Sequence, residues 1–170
     1  MASWRPALAG GAAFLASMAI ELGALGVLGA IGGEGRWPIM PVLVAPVVEE
    51  LAKRFFLWPL SAGWAATGLA FGVIEGVLKA AEWPVFGVSG PLASVLQHWA
   101  YGRWAERGGL WLALALHMGF NATVVGIDAV AGAGASWAAP VLAAGLLLAS
   151  FRDFGRARPQ RDVDGGPRAP

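Results

Sequence analysis

Four charged residues crowd into one apolar stretch, Pro46-Val47-Val48-Glu49-Glu50-Leu51-Ala52-Lys53-Arg54-Phe55-Phe56. On a helix, Glu49 to Lys53 and Glu50 to Arg54 are both i,i+4 pairs with the acid placed N-terminal, the favourable order. Two ion pairs that hold a bundle together are therefore the plain structural account. It leaves two adjacent acids unexplained, because a buried pair often does no better than apolar side chains of similar volume. Pro41 and Pro46 add to the point, since each deletes a helix hydrogen bond just ahead of the acids and can kink the helix or expose a carbonyl.

A second acid-bearing segment contains Phe71-Gly72-Val73-Ile74-Glu75, with Gly68, Gly72 and Gly76 repeating every four residues. That spacing belongs to closely packed membrane helices, and it puts Glu75 on nearly the glycine face, directed at a helix interface. A lone acid hydrogen-bonded to a neighbouring helix accounts for it equally well. The two histidines of the chain, His98 and His117, also fall in apolar segments, and Asn121 follows His117 by one helical turn. A core histidine with its hydrogen bonds satisfied is the common explanation for either alone. With an amide at i+4, however, His117 offers two donors on one face, which suits the stabilisation of a developing oxyanion.

The elements that must position these residues follow from composition. Of 170 residues, 57% are hydrophobic and 14% charged, against about a quarter charged in an average soluble domain. The excess implies lipid as a partner, and the chain has room for about six spans of ~20 residues joined by short loops. The fold class expected is all-α, a polytopic transmembrane helical bundle of about six helices. Apolar segments run roughly over 7–31, 38–60, 63–80, 84–104, 110–130 and 137–151, the fourth broken by Gly87, Gly90 and Pro91. Residues 1–152 are expected to form one membrane domain, and residues 153–170, poor in apolar side chains, a disordered tail. A net charge of +1 without a dense basic run argues against nucleic acid as a partner. The absence of cysteine removes disulfides, thiolate catalysis and cysteine-based zinc sites.

Tryptophans sit at the expected span ends: Trp4, Trp37, Trp58, Trp64, Trp83, Trp104, Trp111 and Trp137 match the headgroup preference of indole, with Trp99 alone well inside a span. Alternating helices put the N-terminus, the loop with Arg103 and Arg107, and the arginine-rich tail on one side. The positive-inside rule makes that side cytoplasmic, so a multi-pass protein of a bacterial-type cytoplasmic membrane with both termini inside is expected. A rise of 1.5 Å per residue then puts Glu49, His98 and His117 at similar depth, with Asn121 about a turn deeper and Glu75 deeper again. Four helices can thus converge on one buried pocket. Glu21 and Asp128 are read as minor, Glu21 pairing within the bundle and Asp128 lying near a span end.

These segments resemble the PrsW-type branch of the superfamily of CAAX prenyl proteases and bacteriocin-processing membrane proteins. Glu49-Glu50-x-x-Lys53 is similar to the first PrsW motif, and Arg54 also satisfies the Glu-Glu-x-x-x-Arg form of the CAAX branch. Phe71 to Glu75 favours PrsW, His98 stands where that branch tends to carry an additional histidine, and His117 to Asn121 is similar to the closing motif. The resemblance spans roughly residues 47–121. It departs from the family in the shortness of the chain and in Glu75, which replaces the histidine that CAAX enzymes use beside their catalytic glutamate.

What the resemblance implies is an intramembrane protease without a cofactor, acting on a membrane-anchored protein. Glu49 is implied as general base on a water, with Glu75 or His98 assisting and His117 and Asn121 binding the oxyanion. Helix spacing and family order together assign Glu50 to an ion pair with Arg54, with Lys53 the second structural cation, and leave Glu49 for chemistry. Three other readings compete. Glu49, His98 and His117 could ligate zinc with an open position for water, although no His-Glu-x-x-His pattern is present. Acids and histidines at mid-membrane can form a proton relay in a transporter, for which the chain is small. The polar network could instead serve packing alone, in a non-catalytic scaffold or binding protein of the same fold.

Overall fold

A computed structural model describes residues 4–31, 39–82, 88–132 and 137–152. These form five α-helices: α1 Arg5–Ile31, α2 Ala45–Leu60, α3 Trp64–Glu82, α4 Ser89–Ala131 and α5 Ala138–Arg152, with a π-helical turn, Met40–Val44, running straight into α2. Among the described residues there is no strand. The expected tail, residues 153–170, lies outside the described residues, as do Trp37 and Trp83.

Helix α4 is two arms. Gly109, at φ 72° and ψ −169°, occupies a region of backbone space essentially confined to glycine, and the chain reverses there. On a continuous helix His98 and His117 would stand about 28 Å apart; their ring centroids are 5.3 Å apart. The expected fourth and fifth spans are therefore present as a hairpin, with the turn at Gly109, a few residues beyond the anticipated end at Trp104. Counting the arms separately recovers the six segments read from hydropathy.

The polarity of this molecule is inside out. Leu15 and Phe55 are each 71% exposed, while Glu50 is 1% and His98 0% exposed. Large apolar side chains on the outside and charges within suit a lipid surround, where a charge must face protein or water. Among the described residues, three helices are long and apolar enough to cross a membrane, Arg5–Val27, Trp64–Ala81 and Ser89–Ala131, the last comprising both arms of α4; α2 carries its four charged residues in a helix of 16 residues. Trp4, Trp58, Trp111 and Trp137 are exposed near helix or arm ends, as expected for interfacial anchors.

Glycine sets the closest approach. A Cβ at Gly72 would lie 2.6 Å from the Ser94 carbonyl oxygen, and one at Gly76 3.0 Å from that of Pro91, while Gly68 lies directly against the His98 carbonyl. The register 68–98, 72–94, 76–91 shows α3 and the first arm of α4 antiparallel and in backbone contact, as the four-residue glycine repeat anticipates. Helix α1 closes on α3 through Gly10, which lies against Ala70 and the Phe71 amide. At the other end of the first arm, Glu106 accepts the Ala65 amide at the start of α3 at 3.1 Å. There Trp104 and Arg107 also donate to the Leu146 and Ser150 carbonyls of α5; Ser150 lies in the last turn, where a helix C-terminus leaves carbonyls unbonded.

Candidate active site

The centre of the bundle is one connected cluster. Lys53 Nζ donates to Glu50 Oε1 at 2.7 Å and to His98 Nδ1 at 2.9 Å. An ammonium has donors only, so His98 Nδ1 accepts and the ring proton sits on Nε2. His98 Nε2–H then donates to Glu75 Oε2 at 2.7 Å and lies 3.5 Å from Glu49 Oε2. On the far side of Lys53, His117 Nδ1–H donates to Glu50 Oε1 at 3.0 Å. Glu75 Oε1 in turn accepts from Lys79 at 2.8 Å, and Lys79 also donates to Ser94 Oγ at 3.0 Å.

Four sequence elements thus meet: α2 brings Glu49, Glu50 and Lys53, α3 brings Glu75, and the two arms of α4 bring His98 and His117. Depth counting put Glu75 well below His98, yet the two touch. Side chains on a helix lean toward its N-terminus. Because α3 and the first arm run antiparallel, Glu75 and His98 lean toward each other and close the gap.

One expected partnership differs. Glu50 takes Lys53, one residue nearer than Arg54; the Arg54 guanidinium lies over the Trp58 ring, 4.9 Å from its centroid, so the Glu50–Arg54 ion pair is replaced by Glu50–Lys53. The reason is rotational, for Lys53 is 2% exposed and faces the interior while Arg54 turns outward. Lys79, one turn beyond Glu75 on α3, reaches that carboxylate as well.

Asn121 has a specific employment. In the π-helical turn the Ala45 amide bonds back to the Met40 carbonyl. The next donor in that register is the amide of residue 46, which proline lacks. The Pro41 carbonyl is left over, and Asn121 Nδ2 donates to it at 2.6 Å. The exposed carbonyl anticipated from Pro41 and Pro46 thus fastens the second arm of α4 to the start of α2. A carboxamide has a second N–H to give.

Beside the cluster lies a cavity of 720 Å³ whose lining includes Glu49, Glu75, His117 and Asn121, together with Glu21 and Asp128. Glu49 lines it and Glu50 does not. Glu49 Oε2 is sealed from solvent and has no hydrogen-bond partner among the described residues, an uncommon condition for a buried carboxylate oxygen. Tyr101 and Gln97, which motif reading passed over, belong to the same region. Tyr101 stacks on His117 with centroids 4.4 Å apart and is recognisable afterwards as the residue one turn beyond His98.

Glu49, His98 and His117 offer donor atoms all within 4.8 Å of one another, the trio that zinc would use. The arrangement fits a cation poorly. Lys53 Nζ already stands 3.9 Å from Glu49 Oε2, and both His98 nitrogens are engaged, Nδ1 by an ammonium and Nε2 by Glu75. A metal would have to displace that ammonium or turn the ring.

Buried glutamates and histidines facing a cavity within an apolar helical bundle define a polytopic membrane protein with a polar intramembrane site. Residues 35–123 match the family described as type II CAAX prenyl endopeptidase Rce1-like, and the chain belongs to that family. The match takes in Glu49, Glu75, His98, His117 and Asn121, and supports the broader superfamily that the motifs resemble. No curated protein and no solved structure matches the chain.

Proposed function

We propose that this protein is an intramembrane endopeptidase of glutamate type, closest in its motifs to the PrsW branch, which hydrolyses a peptide bond of a membrane-associated protein. The observation that carries the reading is Glu49: a carboxylate on the cavity wall, with an unpartnered oxygen 3.5 Å from an imidazole nitrogen.

Glu49 takes a proton from a water, the resulting hydroxide adds to the scissile carbonyl, and the same proton goes to the leaving nitrogen as the C–N bond breaks. A carboxylate held away from bulk water is a stronger base for that purpose. Glu50, fixed by Lys53 and His117, is structural in this scheme. His98 serves beside Glu49, and Glu75 is its orienting carboxylate, so the imidazole that CAAX enzymes draw from the position of Glu75 comes here from α4. His117, held at Nδ1 by Glu50 and stacked on Tyr101, presents Nε2 to the oxyanion when protonated there. The spare N–H of Asn121 joins it.

The direct test is cleavage of a membrane-inserted protein substrate by purified protein in lipid. Glu49→Gln is expected to fold normally and to lose at least about 10²-fold in rate. Full cleavage by Glu49→Gln, with loss only in a folded Glu50→Gln protein, reverses the two roles.

A further inference from the structure

Gln97 is a polar residue on the cavity wall that hydrolysis leaves idle. It is 5% exposed, it lines the cavity, and it has no hydrogen-bond partner among the described residues. Among the polar side chains nearest the cluster, Glu75 and Lys79 bind each other, Asn121 binds the Pro41 carbonyl, and Glu49 and His117 face the reaction. A carboxamide on a mostly buried residue, bonded to nothing among the described residues, calls for a partner in the space it faces. One that opens onto a cavity beside a site for peptide-bond hydrolysis has a partner when the cavity is filled.

We infer that Gln97 binds the backbone of the scissile segment, donating to one substrate carbonyl and accepting from one substrate amide; this rests on the endopeptidase reading. The chemistry of the substrate calls for such a group. In a helical span every backbone N–H and C=O is satisfied internally, and an unwound stretch leaves them bare where no lipid group can bond them. A peptide must be unwound before a water can reach its carbonyl. Gln offers acceptor and donor at once, the pairing that a neighbouring strand would supply, whereas Lys or Glu offers a single kind. The approach along α4 is open, since Gly90 and Ala93 line the same wall at i−7 and i−4 from Gln97 and leave width for a chain. The substrate class is therefore an apolar span with a helix-breaking, extended stretch at the cut.

The probe is a dye-labelled single-span apolar peptide interrupted by Gly-Pro, together with versions in which one amide at a time is replaced by an ester. The protein is the full chain in lipid nanodiscs, as wild type, Gln97→Leu, and each of these combined with Glu49→Gln for binding without turnover. Gln97→Leu is expected to melt at the wild-type temperature, to weaken binding about tenfold to a hundredfold and to lower kcat/KM by the same factor through KM. One ester position is expected to weaken binding to the Gln97 protein and to make no difference to Gln97→Leu. Equal binding by the two proteins, or ester effects that ignore residue 97, overturns the clamp. Binding without cleavage by the wild type removes the endopeptidase reading and leaves the clamp to be judged by the ester series. A folded protein that neither binds nor cuts any of the peptides overturns both.

Discussion

The ammonium of Lys53 stands 2.9 Å from Nδ1 of His98, and this contact decides which ring nitrogen of His98 carries the proton. With Nδ1 accepting, the Nε2 proton of His98 is directed at the two carboxylates, Glu75 at 2.7 Å and Glu49 at 3.5 Å. The same ammonium neutralises Glu50 at 2.7 Å and lies over the Phe71 ring, 4.2 Å from its centroid. Lys53 thus links the acid pair of α2 to the imidazole of α4 and to the aromatic that opens the Phe-x-x-x-Glu motif.

Lys53→Met leaves Glu50 as a buried charge with His117 as its remaining partner and frees His98 to change tautomer. Breaking a buried pair from one side costs about 3–5 kcal/mol. Equilibrium unfolding in mixed detergent is expected to show a loss of that order together with loss of cleavage. A Lys53→Met protein as stable and active as wild type would remove Lys53 from the centre of the network.

Metal removal is expected to leave activity unchanged. Lys53 occupies the electrostatic position a cation would need, so dialysis against a strong chelator should not alter cleavage, and elemental analysis of purified protein should find zinc well below one per chain. Stoichiometric zinc whose removal stops turnover would establish the Glu49, His98 and His117 trio as a metal centre.

Glycines divide into those that hold helices together and those that do not. Gly72→Ala pushes a methyl to 2.6 Å from the Ser94 carbonyl oxygen, and backbone cannot yield cheaply, whereas Gly26 has open space around it. Overpacking of this kind costs about 1–3 kcal/mol. Thermal unfolding should separate Gly72→Ala, clearly destabilised and weakened in activity, from Gly26→Ala, close to wild type. Equal effects from both would contradict the register of α3 against α4.

Asn121→Leu strands the Pro41 carbonyl next to a proline that cannot bond it. The expected loss is about 1–3 kcal/mol, with faster amide hydrogen exchange over the π-helical turn and the start of α2. Activity should fall further than stability accounts for if the second N–H of Asn121 also meets the oxyanion. Exchange at 40–46 that matches the wild type would show that the turn holds without it.

Much of this molecule is written locally. Hydropathy along 170 residues yields the helical membrane bundle, since lipid accepts apolar stretches and demands that their backbone be bonded internally. The glycine spacing in α3 yields the close face, and Pro41 with Pro46 yields the exposed carbonyl, because a missing N–H is a property of the residue itself. The candidate residues Glu49, Glu75, His98 and His117 could be nominated because charges and imidazoles in apolar spans require a reason to be there.

Partnerships are another matter. That Glu50 takes Lys53 and not Arg54 depends on how α2 is rotated against α3 and α4. Glu75 meets His98 because antiparallel helices lean their side chains together, which no count of residues along a single span contains. The reversal at Gly109 brings His117 beside His98, and Asn121 finds a carbonyl that its own helix does not supply. Local sequence acts over a turn or two of helix, whereas hydrogen bonds between helices depend on rotation, register and approach distance, and those quantities exist only once the helices have packed.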